Sequence, residues 1–410
     1  LTHRIAFLLE SGVRPWEVLA LTFTNKAAKE MKERIGRMVP PELARDLWMG
    51  TFHSIFARVL RKHATALGYT SSFTIYDSDD SLSAIKQAMG RLGISKEQFN
   101  PNAVRSRISS AKNQLIGPVE YERLARDPFS IEVAKIYPEY LKALKLANAM
   151  DFDDLLIKTI ELFQRDPEAL AAYQNKFHFI LVDEYQDTNR AQYKIVKLLA
   201  EKRKNLTVVG DDAQSIYAFR GADISNILDF QKDYPNAQIF RLEQNYRSHG
   251  HILDAANALI GHNRRRLGKN LWTSEGKGEP LRVYEAATDL EEAAFIVEEV
   301  KALRNEGVRL TDMAVLYRSN AQSRVLEETF LSARVPYKVY GGLRFYERAE
   351  IKDAYSSGRG SFRVRARWSV ERLARGQWQG LGVAGHPGQG QEGHRRAGQG
   401  PQDRLGAHHH

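Results

Sequence analysis

Four apolar residues, Phe179 to Val182, run directly into the acidic pair Asp183 and Glu184. An apolar run of this length is typical of a strand that is buried on both faces, as in a parallel sheet. Ligands of open α/β sheets bind at the carboxyl ends of the strands, so both acids would lie where a magnesium-bound nucleotide sits. Asp183 would then hold Mg²⁺, and Glu184 would orient and deprotonate a water molecule. For this run alone, the alternative is a buried strand followed by a solvated acidic turn.

Other strands of the same kind alternate with helices in the first half of the chain. We predict strands over residues 18–23, 177–182 and 206–210. Thr24 and Asn25 follow the first of these strands and can cap the next helix. An alternation of strands and helices predicts an α/β fold with a parallel sheet.

Two further regions have different patterns. Residues 78–170 are rich in charge and lack strand patterns, which predicts an all-helical insertion. A second α/β unit is predicted over residues 238–353. Its predicted elements are strands over 238–242, 281–284 and 313–317 and helices over 251–259, 291–305 and 322–333.

The composition excludes several classes of protein. The 410 residues include no cysteine, which rules out disulfides and cysteine-ligated metal centres. No apolar run approaches the roughly 18 residues that a membrane-spanning helix needs, so we expect a soluble, cytoplasmic protein without a membrane partner.

The positive charge is concentrated at the end of the chain. The net charge is +10, and residues 356–410 carry nine Arg, no Lys and three acids, a net charge of +6. The same residues hold 12 of the 29 glycines. This composition predicts a disordered tail over residues 354–410 in preference to a folded nucleic-acid-binding domain.

A second polar segment follows the strand that ends at residue 210. Gln214 could position a water molecule or contact a γ-phosphate there. It is followed by Tyr217, Phe219 and Arg220, and aromatic faces beside an arginine suit single-stranded nucleic acid. The alternative for the two aromatic residues is packing in the core or in a turn.

Two segments nearer the start of the chain also carry candidate binding residues. Phe23, Thr24 and Asn25 offer a stacking face and phosphate donors at the start of a helix. Thr51 and His53 form a second candidate contact, for which the alternative is a structural, hydrogen-bonded imidazole.

The segment from Gln244 to Ser248 begins the second α/β unit. Arg247 could stabilise charge on a transferred phosphoryl group as an arginine finger, and Tyr246 could stack on a purine base.

These segments, in this order, closely resemble the UvrD/Rep/PcrA group of superfamily 1 DNA helicases. The resemblance covers residues 1 to about 353 and depends on an ordered set of matching stretches. They are LALTFTNKAAKEM, GTFHSIFARVLR, DFDDLL, ILVDEYQDTNRAQY, VVGDDAQSIYAFRGADI, LEQNYRS, AVLYRSNAQSR and YGGLRFYERAEIKD.

The resemblance implies a 3′→5′ translocase on single-stranded DNA, driven by ATP and Mg²⁺ between two RecA-like domains of the P-loop NTPase class. Single-stranded DNA and duplex junctions would be its substrates, and repair or replication proteins its partners. The implied first RecA-like domain has two parts, residues 1–77 and 171–237, and the helical insertion, residues 78–170, lies between them. A partial second RecA-like domain over residues 238–353 and the tail over residues 354–410 follow.

The implied roles follow the matching positions. Asp183 is the Mg²⁺ ligand and Glu184 the base, Gln214 senses the γ-phosphate, Arg247 is the finger and Tyr246 stacks on adenine. The implied DNA contacts are Phe23, Thr24, Asn25, Thr51, His53, Tyr217, Phe219 and Arg220.

One departure from the family pattern is severe. The phosphate loop, G-x-x-x-x-G-K-S/T, occurs nowhere in the 410 residues. We therefore expect this chain to be an inactive fragment in ATP hydrolysis and unwinding. Two alternatives stay open: a nonhydrolysing module that binds single-stranded DNA, and a helicase–nuclease subunit, for which the sequence has no nuclease motif.

Overall fold

A computed structural model describes residues 1–340 of the chain. The strands in this range are β1 Val18–Thr22, β2 Trp48–Thr51, β3 Thr74–Tyr76, β4 Ala149–Asp151, β5 Phe179–Val182 and β6 Leu206–Val208.

Helices separate and flank these strands. The α-helices in the described range are α1 Thr2–Glu10, α2 Asn25–Gly36, α3 Pro41–Arg45, α4 Phe52–His63, α5 Ser78–Arg91, α6 Pro101–Asn113, α7 Pro118–Leu124, α8 Pro128–Leu146, α9 Asp154–Arg165, α10 Pro167–Lys176, α11 Arg190–Ala200, α12 Ser225–Leu228, α13 Phe230–Asp233, α14 Gly250–Gly261, α15 Asp289–Asn305 and α16 Ser323–Ser332.

The central sheet has four strands in the order β2-β1-β5-β6, and all neighbours are parallel. All five residues of β1 are buried, and the first four, Val18 to Leu21, are apolar, as expected for a strand covered on both faces. The strands predicted near residues 18, 177 and 206 are thereby confirmed, and the fold is α/β with a parallel sheet. Because the strands are parallel, the loops after β1, β2, β5 and β6 meet at one edge of the sheet, which we name the carboxyl edge.

Alternate residues of the strands pack on opposite faces of this sheet. Leu19 and Leu21 of β1 join a core formed with α4, α9 and α11. Val18 and Ala20 join the opposite core, formed with α1 and α2. Successive side chains of a strand point to opposite faces, so one apolar run holds two helical layers.

The insertion has a core of its own, formed by α5, α6, α7 and α8. It is not wholly helical, because β4 lies within it and pairs in parallel with β3. The prediction missed this pair because each strand has only three residues. Residues 155–163, assigned to the insertion from the sequence, pack in the core of the central sheet.

A buried ionic cluster joins the insertion to the start of α9. The Lys112 ammonium lies 2.6 Å from Asp151 Oδ2 and 2.8 Å from Asp154 Oδ1, and all three residues are buried. The Tyr140 hydroxyl donates a further bond of 2.8 Å to Asp151. Burial opposes the charge of Lys112, but the two carboxylates hold its pKa well above the usual range.

The described residues form two compact units, one over residues 1–279 and one that begins at Pro280. In the second unit, α15 and α16 pack around Val297, Val300 and Phe330. The domain boundary predicted between residues 237 and 238 lies inside the first unit. The predicted tail, residues 354–410, lies outside the described residues.

The prediction of strands over residues 238–242, 281–284 and 313–317 is wrong, because the structure has no strand in these segments. An apolar segment forms a strand only when a neighbour satisfies its backbone hydrogen bonds. Within residues 1–340 these segments have no such neighbour, and several of their side chains are exposed: Phe240 80%, Leu242 85%, Val283 96% and Leu316 80%.

In the part of the chain that the structure describes, no helix is both long enough and apolar enough to cross a membrane.

The ionic cluster leads to a stability prediction for Lys112→Met. The substitution leaves two carboxylates buried without their cation, so we expect the free energy of unfolding at neutral pH to fall by about 3–5 kcal/mol. The loss should be smaller near pH 5, because burial and Asp151 already raise the pKa of Asp154 and protonation removes its charge. Urea unfolding at both pH values checks this, and a loss below about 1 kcal/mol at neutral pH would contradict it.

Candidate functional site

Asp183 and Glu184 lie at the carboxyl edge, where backbone hydrogen bonds continue past the ends of the strands. The Asp183 amide donates to the Leu21 carbonyl at 2.9 Å, and the Tyr185 amide donates to the Val209 carbonyl at 2.9 Å. These bonds attach the acidic turn to the ends of both neighbouring strands, β1 and β6. The structure therefore confirms that the acids follow the buried strand at this edge.

The turn itself has an unusual backbone. Glu184 has a φ of 49°, in the left-handed region that residues other than glycine rarely adopt. The next residue, Tyr185, is buried, and its ring packs edge-on against Phe230 at 5.7 Å. The buried tyrosine holds the strained turn in place and leaves the Glu184 side chain exposed.

The electrostatics of the turn favour a cation. Burial and then the neighbouring Glu184 carboxylate raise the pKa of Asp183 above its ordinary value. A divalent cation beside Asp183 would relieve this repulsion. Mg²⁺ is commonly held by one or two carboxylates, with water and phosphate oxygens completing its shell, so the single Asp183 carboxylate fits such an ion.

Gln186 is the residue that sequence reasoning missed. It is 1% exposed, its amide nitrogen donates to Glu184 Oε2 at 2.9 Å, and its amide oxygen accepts from the Asp211 backbone amide at 3.0 Å. One buried side chain thus connects the acidic turn after β5 to the loop after β6. No sequence pattern indicated a role for it, because a glutamine just after an acidic pair is equally typical of a solvated turn.

Gly210 makes this connection sterically possible. A Cβ atom at this position would lie 2.7 Å from the Gln186 amide oxygen and 2.7 Å from Ile227 Cδ1. A side chain there would therefore displace Gln186 from its hydrogen bond.

Gln214 is exposed, and its amide nitrogen donates to Asp211 Oδ2 at 2.8 Å. Asp211 also pairs with Lys269. Burial opposes ionisation of Asp211, but Lys269 and Gln214 lower the pKa of this carboxyl overall. Asp211 therefore fixes the orientation of Gln214 and connects it, through its backbone amide and Gln186, to Glu184.

A third carboxylate stands beside the acidic pair. Burial and the Glu184 charge raise the pKa of Asp187 to about 6. Its Oδ1 atom is buried and has no hydrogen-bond partner in the described residues. The turn after β5 therefore contains a carboxylate oxygen that is buried and that no hydrogen bond from the described residues stabilises.

The candidate residues after β1 and β2 lie at the same edge. The Phe23 ring packs 5.9 Å from the Phe52 ring. Thr24 caps α2 and Thr51 caps α4. Each hydroxyl oxygen accepts a hydrogen bond from a backbone amide of its helix, at 3.1 Å for Thr24 and 3.3 Å for Thr51. Both hydroxyls keep a hydrogen to donate, and Asn25 is exposed in the first turn of α2.

His53 is uncharged at neutral pH. Burial lowers the pKa of its imidazole to about 4, and the ring lies 5.1 Å from the Phe152 ring. A neutral imidazole can exchange hydrogen bonds with a ligand, but it contributes no charge to binding.

Tyr217 and Phe219 have their rings 5.9 Å apart and are 39% and 77% exposed. The chain around them is fixed to the turn after β5, because Asn189 pairs with Ala222 and the Asp223 amide donates to the Thr188 carbonyl at 2.9 Å. The described residues do not include the Arg220 side chain.

The structure does not bring Tyr246 and Arg247 into contact with the acidic turn. The Tyr246 hydroxyl donates to Gln244 at 2.8 Å, and the Arg247 backbone amide donates to the Asn245 side chain at 2.9 Å. Both side chains are exposed. Within residues 1–340, no hydrogen bond or ion pair joins Arg247 to Asp183 or Glu184, so its finger role stays a prediction.

Two protein-family models match the chain. Residues 1–235 match the family model of the UvrD/REP helicase N-terminal domain, and residues 240–384 match that of the UvrD-like helicase C-terminal domain. The second match runs past residue 353, where the resemblance read from the sequence ends.

Several curated relatives are similar over most of the chain. The ATP-dependent DNA helicase PcrA of Leuconostoc citreum is 49% identical over 361 residues, which are 87% of this chain and 48% of the relative. The ATP-dependent DNA helicase PcrA of Staphylococcus aureus (strain Mu50) is 52% identical over 357 residues, 87% of this chain and 49% of the relative. The chain thus spans about half the length of these relatives.

The crowding of carboxylates leads to a pH-dependent prediction for Asp187→Asn. At neutral pH the wild-type chain holds Asp187 ionised although its pKa is raised to about 6 from 3.8. Removing this charge should raise the free energy of unfolding by on the order of 1 kcal/mol after allowance for solvent screening.

The gain should be full above about pH 6 and should vanish only when the pH falls well below 3.8, where Asp187 is protonated in the folded and unfolded states alike. Urea unfolding across this range provides the measurement. A gain that is equal at both ends of the range would contradict the account.

Proposed function

The chain belongs to the UvrD/REP helicase family, and we propose that the protein it represents is an ATP-driven 3′→5′ translocase on single-stranded DNA. One observation carries the proposal. At the carboxyl edge, the buried Gln186 side chain bonds the turn that carries Glu184 to the loop that carries Gln214, and exposed aromatic residues follow that loop.

On the nucleotide side, each residue would have a separate task. Asp183 would hold Mg²⁺, which neutralises phosphate charge when it is bound. Glu184 would accept the proton of the attacking water, since its side chain is exposed beside Asp183. Gln214 would contact the γ-phosphate, and Tyr246 and Arg247 would reach the nucleotide when the motor is assembled.

On the DNA side, the aromatic residues would stack on bases. Phe219 and Tyr217 lie only a few residues beyond Gln214, so a shift of Gln214 on hydrolysis would move their rings. Phe23 supplies a further ring, and neutral polar groups of Thr24, Asn25, Thr51 and His53 would contact the strand without adding charge. Arg220 would pair with a phosphate.

The remaining assignments are part of the same proposal. Two RecA-like domains divided near residue 238 would close on ATP. Repair or replication proteins would be the partners, in the cytoplasm.

We predict that this chain, purified by itself, releases phosphate from ATP at the background rate, with or without DNA. The reason is that its 410 residues contain no phosphate loop to hold the β- and γ-phosphates. A coupled phosphate-release assay measures this, with Glu184→Gln as the matched control. DNA-stimulated release that Glu184→Gln abolishes would refute the prediction.

Binding of single-stranded DNA should survive the loss of hydrolysis and should depend on the stacking residues. We expect Phe219→Ala to weaken binding of a short oligothymidylate by about 5- to 150-fold, which corresponds to about 1–3 kcal/mol for one stacked base. Phe23→Ala and Tyr217→Ala should weaken it as well.

The control is Phe7→Ala, which removes a ring of similar exposure, 66% against 77%, from α1. Fluorescence anisotropy provides the affinities. Equal affinities for Phe219→Ala and Phe7→Ala would exclude the proposed stacking site.

A nonhydrolysing single-stranded-DNA binding module is the second candidate function. The absence of a phosphate loop from the sequence favours it for the chain as it stands. It predicts DNA affinity that falls with salt and does not respond to Mg²⁺-ATP, whereas a motor site that still binds nucleotide would change the affinity.

A further inference from the structure

A cluster of cations surrounds Trp48 at the amino end of β2, on the first compact unit. The Arg58 guanidinium carbon and the Lys176 ammonium nitrogen each lie 4.1 Å from the centroid of the Trp48 ring. The Arg58 guanidinium carbon and the Lys176 nitrogen are therefore separated by at most twice 4.1 Å. Lys62 lies one turn after Arg58 on α4, and its side chain is exposed.

In the part of the chain that the structure describes, these three cations lack a carboxylate partner. Within residues 1–340, no ion pair or hydrogen bond joins Arg58, Lys62 or Lys176 to an acid. The acid nearest to Trp48 in the sequence, Asp46, pairs with Arg45 at 3.6 Å. Burial and the charges of Lys62 and Arg58 lower the pKa of Lys176, with no carboxylate acting in the opposite direction.

The aromatic packing beneath the cluster makes it rigid. Trp48 packs edge-on against Phe177 at 5.4 Å and against Tyr173 at 6.3 Å. A guanidinium stacked on a fixed indole keeps its N–H groups in a defined plane, and this arrangement suits the two oxygens of a phosphate. Repulsion among fixed cations is relieved when a polyanion binds.

The position of the cluster separates it from the site described above. Trp48 begins β2 and Thr51 ends it, so the cluster lies about 10 Å along the strand from the carboxyl edge. Lys176 likewise precedes β5, whereas Asp183 follows it.

We infer that Arg58, Lys62 and Lys176 form a second nucleic-acid contact, which holds the phosphate backbone of DNA at the edge of the sheet opposite the nucleotide site. The inference rests on the proposed function in one respect, since DNA is taken as the polyanion. Phosphates are favoured over acidic peptide because the cluster offers cationic donors on a rigid aromatic base.

A structural role is the competing explanation. Lys62 and Lys176 lie in the last turns of α4 and α10, where the helix dipole favours cations. In that case the cations would stabilise the fold and would not touch DNA.

The test compares the salt dependence of oligothymidylate binding between matched triple variants of the whole chain. For Arg58→Gln, Lys62→Gln and Lys176→Gln together, we expect the slope of log affinity against log salt to fall by about 2, at about 0.7 per lost phosphate contact. The control, Lys86→Gln, Lys96→Gln and Arg123→Gln, removes the same charge from exposed positions of the insertion. It should keep the wild-type slope.

Two further measurements identify the site. The indole NH signal of Trp48 in the NMR spectrum, assigned with Trp48→Phe, should shift on addition of oligothymidylate. A variant that keeps the charges, with Arg58→Lys, Lys62→Arg and Lys176→Arg, should retain the salt slope even where the fold is somewhat less stable.

The outcomes are distinct. An unchanged slope with a lowered melting temperature in the glutamine variant supports the structural role and overturns the inference. If Phe219→Ala still weakens binding in that case, the proposed function stands without the second contact. Displacement of the Trp48 shift by polyglutamate more readily than by DNA would make an acidic protein the partner and would also overturn it.

Discussion

The parallel pairing of β1 with β5 is the constraint on which the functional edge depends. Its register places Leu21 beside Val182, and the hydrogen bond from the Asp183 amide to the Leu21 carbonyl extends the pairing by one residue. The acidic turn is therefore fixed directly at the end of the sheet. The loops after β1, β2 and β6 reach the same edge because every neighbour in the sheet is parallel.

Local strain and charge at this edge have a common origin. The turn places Glu184 in the left-handed region and crowds Asp183, Glu184 and Asp187 together, so burial and mutual repulsion raise the pKa of both aspartates. Such a turn is stable only if its neighbours hold it. The buried side chains of Tyr185 and Gln186 support it, and Gln186 also hydrogen-bonds the turn to the loop that carries Gln214.

Features that depend on residues adjacent in the chain could be predicted from the sequence. Buried apolar runs marked β1 and β5, and a threonine before a helix marked the cap at Thr24, which the structure confirms. The sequence could not reveal features that depend on distant partners. Strands β3 and β4 are 72 residues apart along the chain, Lys112 resembles any charged helical residue, and segments such as 238–242 have strand patterns but no partner in the described range.

Photo-cross-linking of oligothymidylate that carries 4-thiothymidine, followed by mass spectrometry of the peptides, tests whether the bases of single-stranded DNA stack at the carboxyl edge of the four-stranded sheet. We expect cross-links at Phe23, Tyr217 and Phe219. Cross-links confined to the helical insertion or to residues after Pro280, with none at these three rings, would contradict it.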